Sequence, residues 1–86
     1  MNVKINFTKK ADKFFFKHED IRDKFIQNIA KFISGERVDI KALSGTDEPI
    51  YRMRIGKFRV IFSINANGDI IVVVALDAGS RGDIYK

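Results

Sequence analysis

Residues 51–62 read Tyr-Arg-Met-Arg-Ile-Gly-Lys-Phe-Arg-Val-Ile-Phe, and this stretch constrains the fold more than any other. Apolar and polar side chains alternate on both sides of Gly56-Lys57, the pattern of strands half buried in a sheet. Glycine at the first position of a two-residue connection supplies the positive φ that a tight hairpin needs. The turn then fixes the register. Ile55 is expected opposite Phe58, Arg54 opposite Arg59, and Arg52 opposite Ile61. Tyr51, Met53, Ile55, Phe58, Val60 and Phe62 fall on one face. Arg52, Arg54 and Arg59 fall on the other.

The rest of the chain must cover the apolar face. Residues 2–7 alternate, with Val3, Ile5 and Phe7 on one side, and predict a strand. Thr8 is a suitable N-cap for a helix over Lys9 to Lys17. That helix buries Ala11, Phe14 and Phe15 and turns Lys9, Lys10, Lys13 and Lys17 mostly away. A second helix is expected from Glu19 to Ser34, where Ile21, Phe25, Ile29 and Phe32/Ile33 form an apolar stripe. Gly35 ends it, and His18 connects the two helices. Residues 36–49 read as a linking stretch anchored by Val38, Ile40 and Leu43, with a turn at Ser44 to Asp47. Phe58 to Ile64 continues the hairpin, and Asn65 to Asp69 reads as a second hairpin loop. Ile70 to Leu76 is apolar on both faces, as in a strand covered on both sides or central in its sheet. Asp77 to Gly82 reads as a polar loop and Asp83 to Lys86 as a short tail. The expected fold is α+β in the order β-α-α-β-β-β. It is a twisted, mostly antiparallel sheet with two N-terminal helices packed on one face, as a single domain over residues 1–86.

A chain of 86 residues buries only about 60% of its unfolded surface. It has no cysteine and one histidine, so disulfides, thiolate metal sites and multi-histidine sites are excluded, and neither metal nor cofactor is expected. The longest apolar run, Ile70 to Leu76, is far short of the 18 or so residues of a membrane span. The N-terminus carries no apolar signal core, and a cytoplasmic location is expected. Net charge is +5. Residues 1–48 hold ten Lys/Arg against eight Asp/Glu, and residues 49–86 hold six against three. Arg52, Arg54, Lys57 and Arg59 stand together with no acid among them. A small basic domain suits an acidic partner such as nucleic acid.

Like charges directly opposite in a sheet are destabilising. The Arg54–Arg59 pairing therefore has two readings. Each arginine is a solvated charge paired with Asp47, Glu48, Asp69 or Asp77, or a polyanion or acidic partner chain occupies the face. Other chemistries lack their parts. Gly79 to Gly82 is not set between a strand and a helix, as a phosphate loop requires. No Ser/His/Asp arrangement is credible with His18 alone. Asp77 and Asp83 read more naturally as salt-bridge partners than as an acid–base pair. The phenylalanines at 14, 15, 25 and 32 have core spacing, and Phe16 is the expected exposed exception.

The basic hairpin of Tyr51 to Phe62, the apolar strand after it and Ala78-Gly-Ser-Arg-Gly-Asp-Ile-Tyr85 together resemble the RelE/ParE superfamily of bacterial toxin–antitoxin modules. The resemblance covers nearly the whole chain, is most specific over 51–85, and implies the same β-α-α-β-β-β fold. RelE-like members cut mRNA on the ribosome. Their site is two basic residues on the first hairpin strand, an arginine on the second, an arginine in the last loop and a C-terminal tyrosine. The matching positions are Arg52, Arg54, Arg59, Arg81 and Tyr85. Both first-strand positions are Arg where many members have Lys, and Ser80 stands where some have His or Lys. The implied function is a ribosome-dependent, metal-independent endoribonuclease that inhibits translation. Its expected partners are mRNA, the ribosome and a small acidic antitoxin. The alternatives are a ParE-like inhibitor of DNA gyrase without enzymatic activity, and a basic RNA-binding domain.

RNA cleavage without metal requires a proton taken from the 2′-OH, stabilisation of charge on phosphorus, and a leaving 5′-oxygen. Arg59 and Arg81 suit the phosphate clamp. Arg54 joins them in the expected catalytic set, and Arg52, Lys57 and Lys86 are expected to hold neighbouring phosphates or bases. Arginine does not deprotonate in proteins. That leaves Tyr85 as a weak base or as a ring stacked on a nucleobase.

Overall fold

In the computed structural model, residues 2–43 and 49–80 are described. Their elements are β1 (Asn2–Phe7), α1 (Lys9–Lys17), α2 (Glu19–Ile33), β2 (Ile40–Ala42), β3 (Ile50–Ile55), β4 (Phe58–Asn67) and β5 (Ile70–Ser80). One five-stranded sheet has the order β1-β5-β4-β3-β2. All neighbours are antiparallel except β1 and β5. A parallel pair needs a long crossover, and here both helices and three strands lie between its members. The expected α+β architecture holds, and β5 is an interior strand between β1 and β4, with β4 at the centre of the sheet.

Both helices bury their apolar stripe on one face of the sheet. Ala11 and Phe15 from α1 and Ile21, Phe25 and Ile29 from α2 form the core with Met53, Ile55, Val60, Phe62, Val73 and Ala75. Phe25 meets Phe62 edge-on at 5.6 Å between ring centres. Phe14 is half-buried, contacting Phe15 and Phe58, and Phe32 contacts Tyr51 at the margin. Phe16, by contrast, is 83% exposed.

Three stretches differ from the sequence reading. Ile40–Ala42, read as part of a link, is a short edge strand paired with Met53 to Tyr51. The loop at 65–69 is shorter than expected. β4 runs on to Asn67, which pairs with Ile70, and Gly68 makes the turn with φ +64°. Asp77 to Ser80, read as loop, continues β5 along Ile61 to Phe58. It does so through a bulge. Phe62 pairs with Ala75 and Ile61 with Asp77, leaving Leu76 as the extra residue. The turn proposed at Ser44 to Asp47 and the tail at Asp83 to Lys86 lie outside the described residues.

Thr8 ties α1 to that bulge. Its hydroxyl accepts from the Ala11 N–H at 3.2 Å, capping the helix as expected, and donates to the Leu76 carbonyl at 2.8 Å. Thr8→Ala removes both bonds. It is expected to lower unfolding free energy by about 1–2 kcal/mol, with Thr8→Ser recovering most of the loss. Urea titration followed by circular dichroism measures both variants.

Candidate nucleic-acid interface

The hairpin forms in the register its sequence dictates. Ile55 pairs with Phe58, Arg54 with Arg59 and Arg52 with Ile61. Gly56 takes φ +60°, the left-handed conformation that the first turn position demands. Met53, Ile55, Val60 and Phe62 are buried beneath the helices. Strand alternation therefore sets Arg52, Arg54 and Arg59 together on the helix-free face.

These guanidiniums are not equivalent. The Arg54 side chain is 46% exposed and that of Arg52 only 15%. Asp39 lies against both, with Oδ1 3.7 Å from Arg52 and Oδ2 3.9 Å from Arg54. The Arg54 N–H also donates to the Asp39 carbonyl at 3.0 Å. Arg52 Nε is buried and has no hydrogen-bond partner among the described residues, an arrangement that typically costs about 1–3 kcal/mol. Arg59 is half-buried and faces Arg54 directly across the ladder.

Asp39 was not among the acids that the sequence reading offered to the arginines. Asp77 goes elsewhere, pairing with Lys10 at 3.2 Å. Asp39 reaches the arginines because β2 sets Ile40 opposite Met53 and Lys41 opposite Arg52. The faint signal for it was the alternation of Val38, Ile40 and Ala42 against Asp39 and Lys41.

Lys57 is not brought to the arginine face. Its ammonium lies over the Phe58 ring, 5.4 Å from the centroid, and Phe58 contacts α1 on the other side of the sheet. Arg81, Tyr85 and Lys86 lie outside the described residues. His18 behaves as a connector. It caps the end of α1 through its backbone N–H and stacks on Phe14 at 4.4 Å. With Phe14 and Phe58 it walls a groove of about 390 Å³ along Ala78 to Ser80.

The chemical capacity of the helix-free face is anion binding. Guanidiniums at fixed ladder positions are well suited to phosphate oxygens. Asp39 partly offsets their charge, and the ion pairs are long and partly solvated. With the Asp39 side chain itself 56% exposed, such long contacts contribute about 0–1 kcal/mol even though Arg52 is largely covered. Asp39→Asn is therefore expected to change stability by less than about 1 kcal/mol. It should also tighten binding of a short RNA a few-fold at low salt and much less at high salt. Weaker binding by this variant would mean that Asp39 holds the arginines in their binding pose instead of competing with the ligand.

No protein-family model matches the chain. A curated protein of Methanocaldococcus jannaschii, "Putative toxin RelE1", is 38% identical over 66 residues, covering 64% of this chain and 72% of that protein. The crystal structure of an archaeal RelE–RelB complex from Pyrococcus horikoshii superposes with a TM-score of 0.64 at 27% identity, over 96% of this chain and 99% of that one.

Proposed function

Because the chain belongs to the RelE family of toxins, we propose that it is a ribosome-dependent mRNA endoribonuclease of a toxin–antitoxin module, held inactive by a cognate antitoxin. The observation that carries this reading is the arginine face: Arg54 and Arg59 directly opposed, with Arg52 two residues along. Opposed cations weaken a free sheet and strengthen one that holds a polyanion.

In this reading Arg59 and Arg81 clamp the scissile phosphate and stabilise its extra negative charge in the transition state. Arg54 helps neutralise that charge, and Arg52 takes a neighbouring phosphate. Leaving the buried pose for a phosphate oxygen would give Arg52 Nε an acceptor. Tyr85 stacks on a base or takes the 2′-OH proton, and Lys86 holds the flanking backbone. Lys57 would join only by leaving Phe58. The set has no strong base, which makes cleavage of free RNA slow. The ribosome would supply the missing orientation of the 2′-OH against phosphorus. In this reading the guanidiniums carry the charge stabilisation that a metal ion supplies in other nucleases. The antitoxin assignment draws on the RelE–RelB complex, in which the related protein is bound to its partner.

Induced expression tests the reading against gyrase inhibition. Amino-acid incorporation is expected to fall within minutes while plasmid supercoiling holds, and co-expression of the cognate small acidic protein is expected to restore growth. Loss of supercoiling before loss of translation would overturn the assignment.

A further inference from the structure

The outward face of α1 is the other concentration of positive charge. Its nine residues hold four lysines and one aspartate. At 3.6 residues per turn, Lys9, Lys13, Phe16 and Lys17 fall within an arc of about 100°, opposite the buried Ala11 and Phe15. Phe16 is 83% exposed, far more than Val3 at 41% or Ile70 at 43%. Lone exposed apolar residues are common, so exposure alone decides nothing. The juxtaposition does: a bare aromatic ring bordered along one side by three lysines. None of these lysines has a carboxylate within ion-pair distance among the described residues.

We infer that this face is a second RNA contact, taking an unpaired base on the Phe16 ring with its flanking phosphates on Lys9, Lys13 and Lys17. A flat ring with cations beside it matches a base and its backbone, since every base offers a π-face and every linkage a charge. An acidic protein would satisfy the lysines but not the ring. Aromatic anchors in protein interfaces sit within an apolar, water-excluding surround, whereas the rest of this arc is lysine. Past the other edge of Phe16 lie Asp12 and Glu19, with Arg22, in a shallow depression. These acids would direct a polyanion toward the lysine side. α1 packs on the helix-bearing face, so the RNA it holds is a different segment from one lying on the arginines. The inference rests on the proposed ribosomal reading, in which such a contact docks the toxin while the arginine face holds the message.

The test is fluorescence anisotropy of a labelled 2′-O-methyl 12-mer, which cannot be cleaved, against the full chain. It is measured for the parent, for R54A/R59A, and for each carrying Phe16→Ala or K13Q/K17Q. R54A/R59A is expected to weaken binding and leave a residual component. Phe16→Ala should weaken that component about tenfold, while Phe16→Trp keeps it. K13Q/K17Q should reduce the salt slope by about 1.4, from two lost phosphate contacts. Phe16→Ala is expected to melt like the parent, because so little of the ring is covered. Unchanged RNA binding by Phe16→Ala overturns the inference, and so does loss of antitoxin binding instead of RNA binding. Undiminished binding by R54A/R59A counts against the arginine reading, not against this one.

Discussion

Arg59→Ala is expected to lower cleavage of ribosome-bound mRNA by about a hundred- to a thousand-fold, the usual consequence of removing one preorganised transition-state donor. The fold should survive. Arg59 lies on the helix-free face, outside the buried core of the two helices and the sheet, and its removal relieves the direct opposition to Arg54. Unfolding free energy is expected to shift by less than about 1 kcal/mol, in either direction. Single-turnover cleavage on purified ribosomes, measured beside a urea titration, separates the two effects. Full activity in the variant would remove Arg59 from the site. Inactivity accompanied by unfolding would leave its role unsupported.

Phe25→Ala is the largest stability effect expected from a single substitution. Phe25 is fully buried, and its ring meets Phe7, Phe15 and Phe62 at 6.3, 5.8 and 5.6 Å. It thus joins β1, α1, α2 and β4 at one point. Truncating a buried phenylalanine typically costs about 3–5 kcal/mol, while a domain of this size is stable by only about 4–13 kcal/mol. The variant is expected to be partly unfolded at 37 °C and to lose toxicity through depletion of folded protein. A cost under about 1 kcal/mol would mean that the helices do not close the core as described.

The contrast between Arg59 and Phe25 reflects what the sequence made legible. A two-residue turn leaves no freedom in register, so the glycine at 56 and the alternation around it dictated the whole arginine face. The helices were legible because Ile21, Phe25 and Ile29 repeat at a helical period with Thr8 and Gly35 as punctuation. β2 was not legible, because three residues form a strand only by pairing with β3. The end of β5 was missed because Asp77, Gly79 and Ser80 have low strand propensity. Their pairing with β4 overrides that preference, through a bulge whose Leu76 carbonyl Thr8 satisfies. Asp39 was invisible for a related reason, since its approach to Arg52 and Arg54 depends on the register of β2. Charge counting around the hairpin pointed instead to Asp47, Glu48, Asp69 and Asp77. Exposure of Phe16 was legible from the helical wheel, but its meaning depends on the lysines beside it.

The most direct measurement is primer-extension mapping of a defined mRNA, free and bound in purified ribosome complexes, with the protein and with its Arg59→Ala variant. New 5′ ends are expected within the ribosome-bound stretch, few or none on the free message, and none above background with the variant. An intact message on ribosomes, in a preparation that still arrests growth when expressed, would contradict ribosome-dependent cleavage.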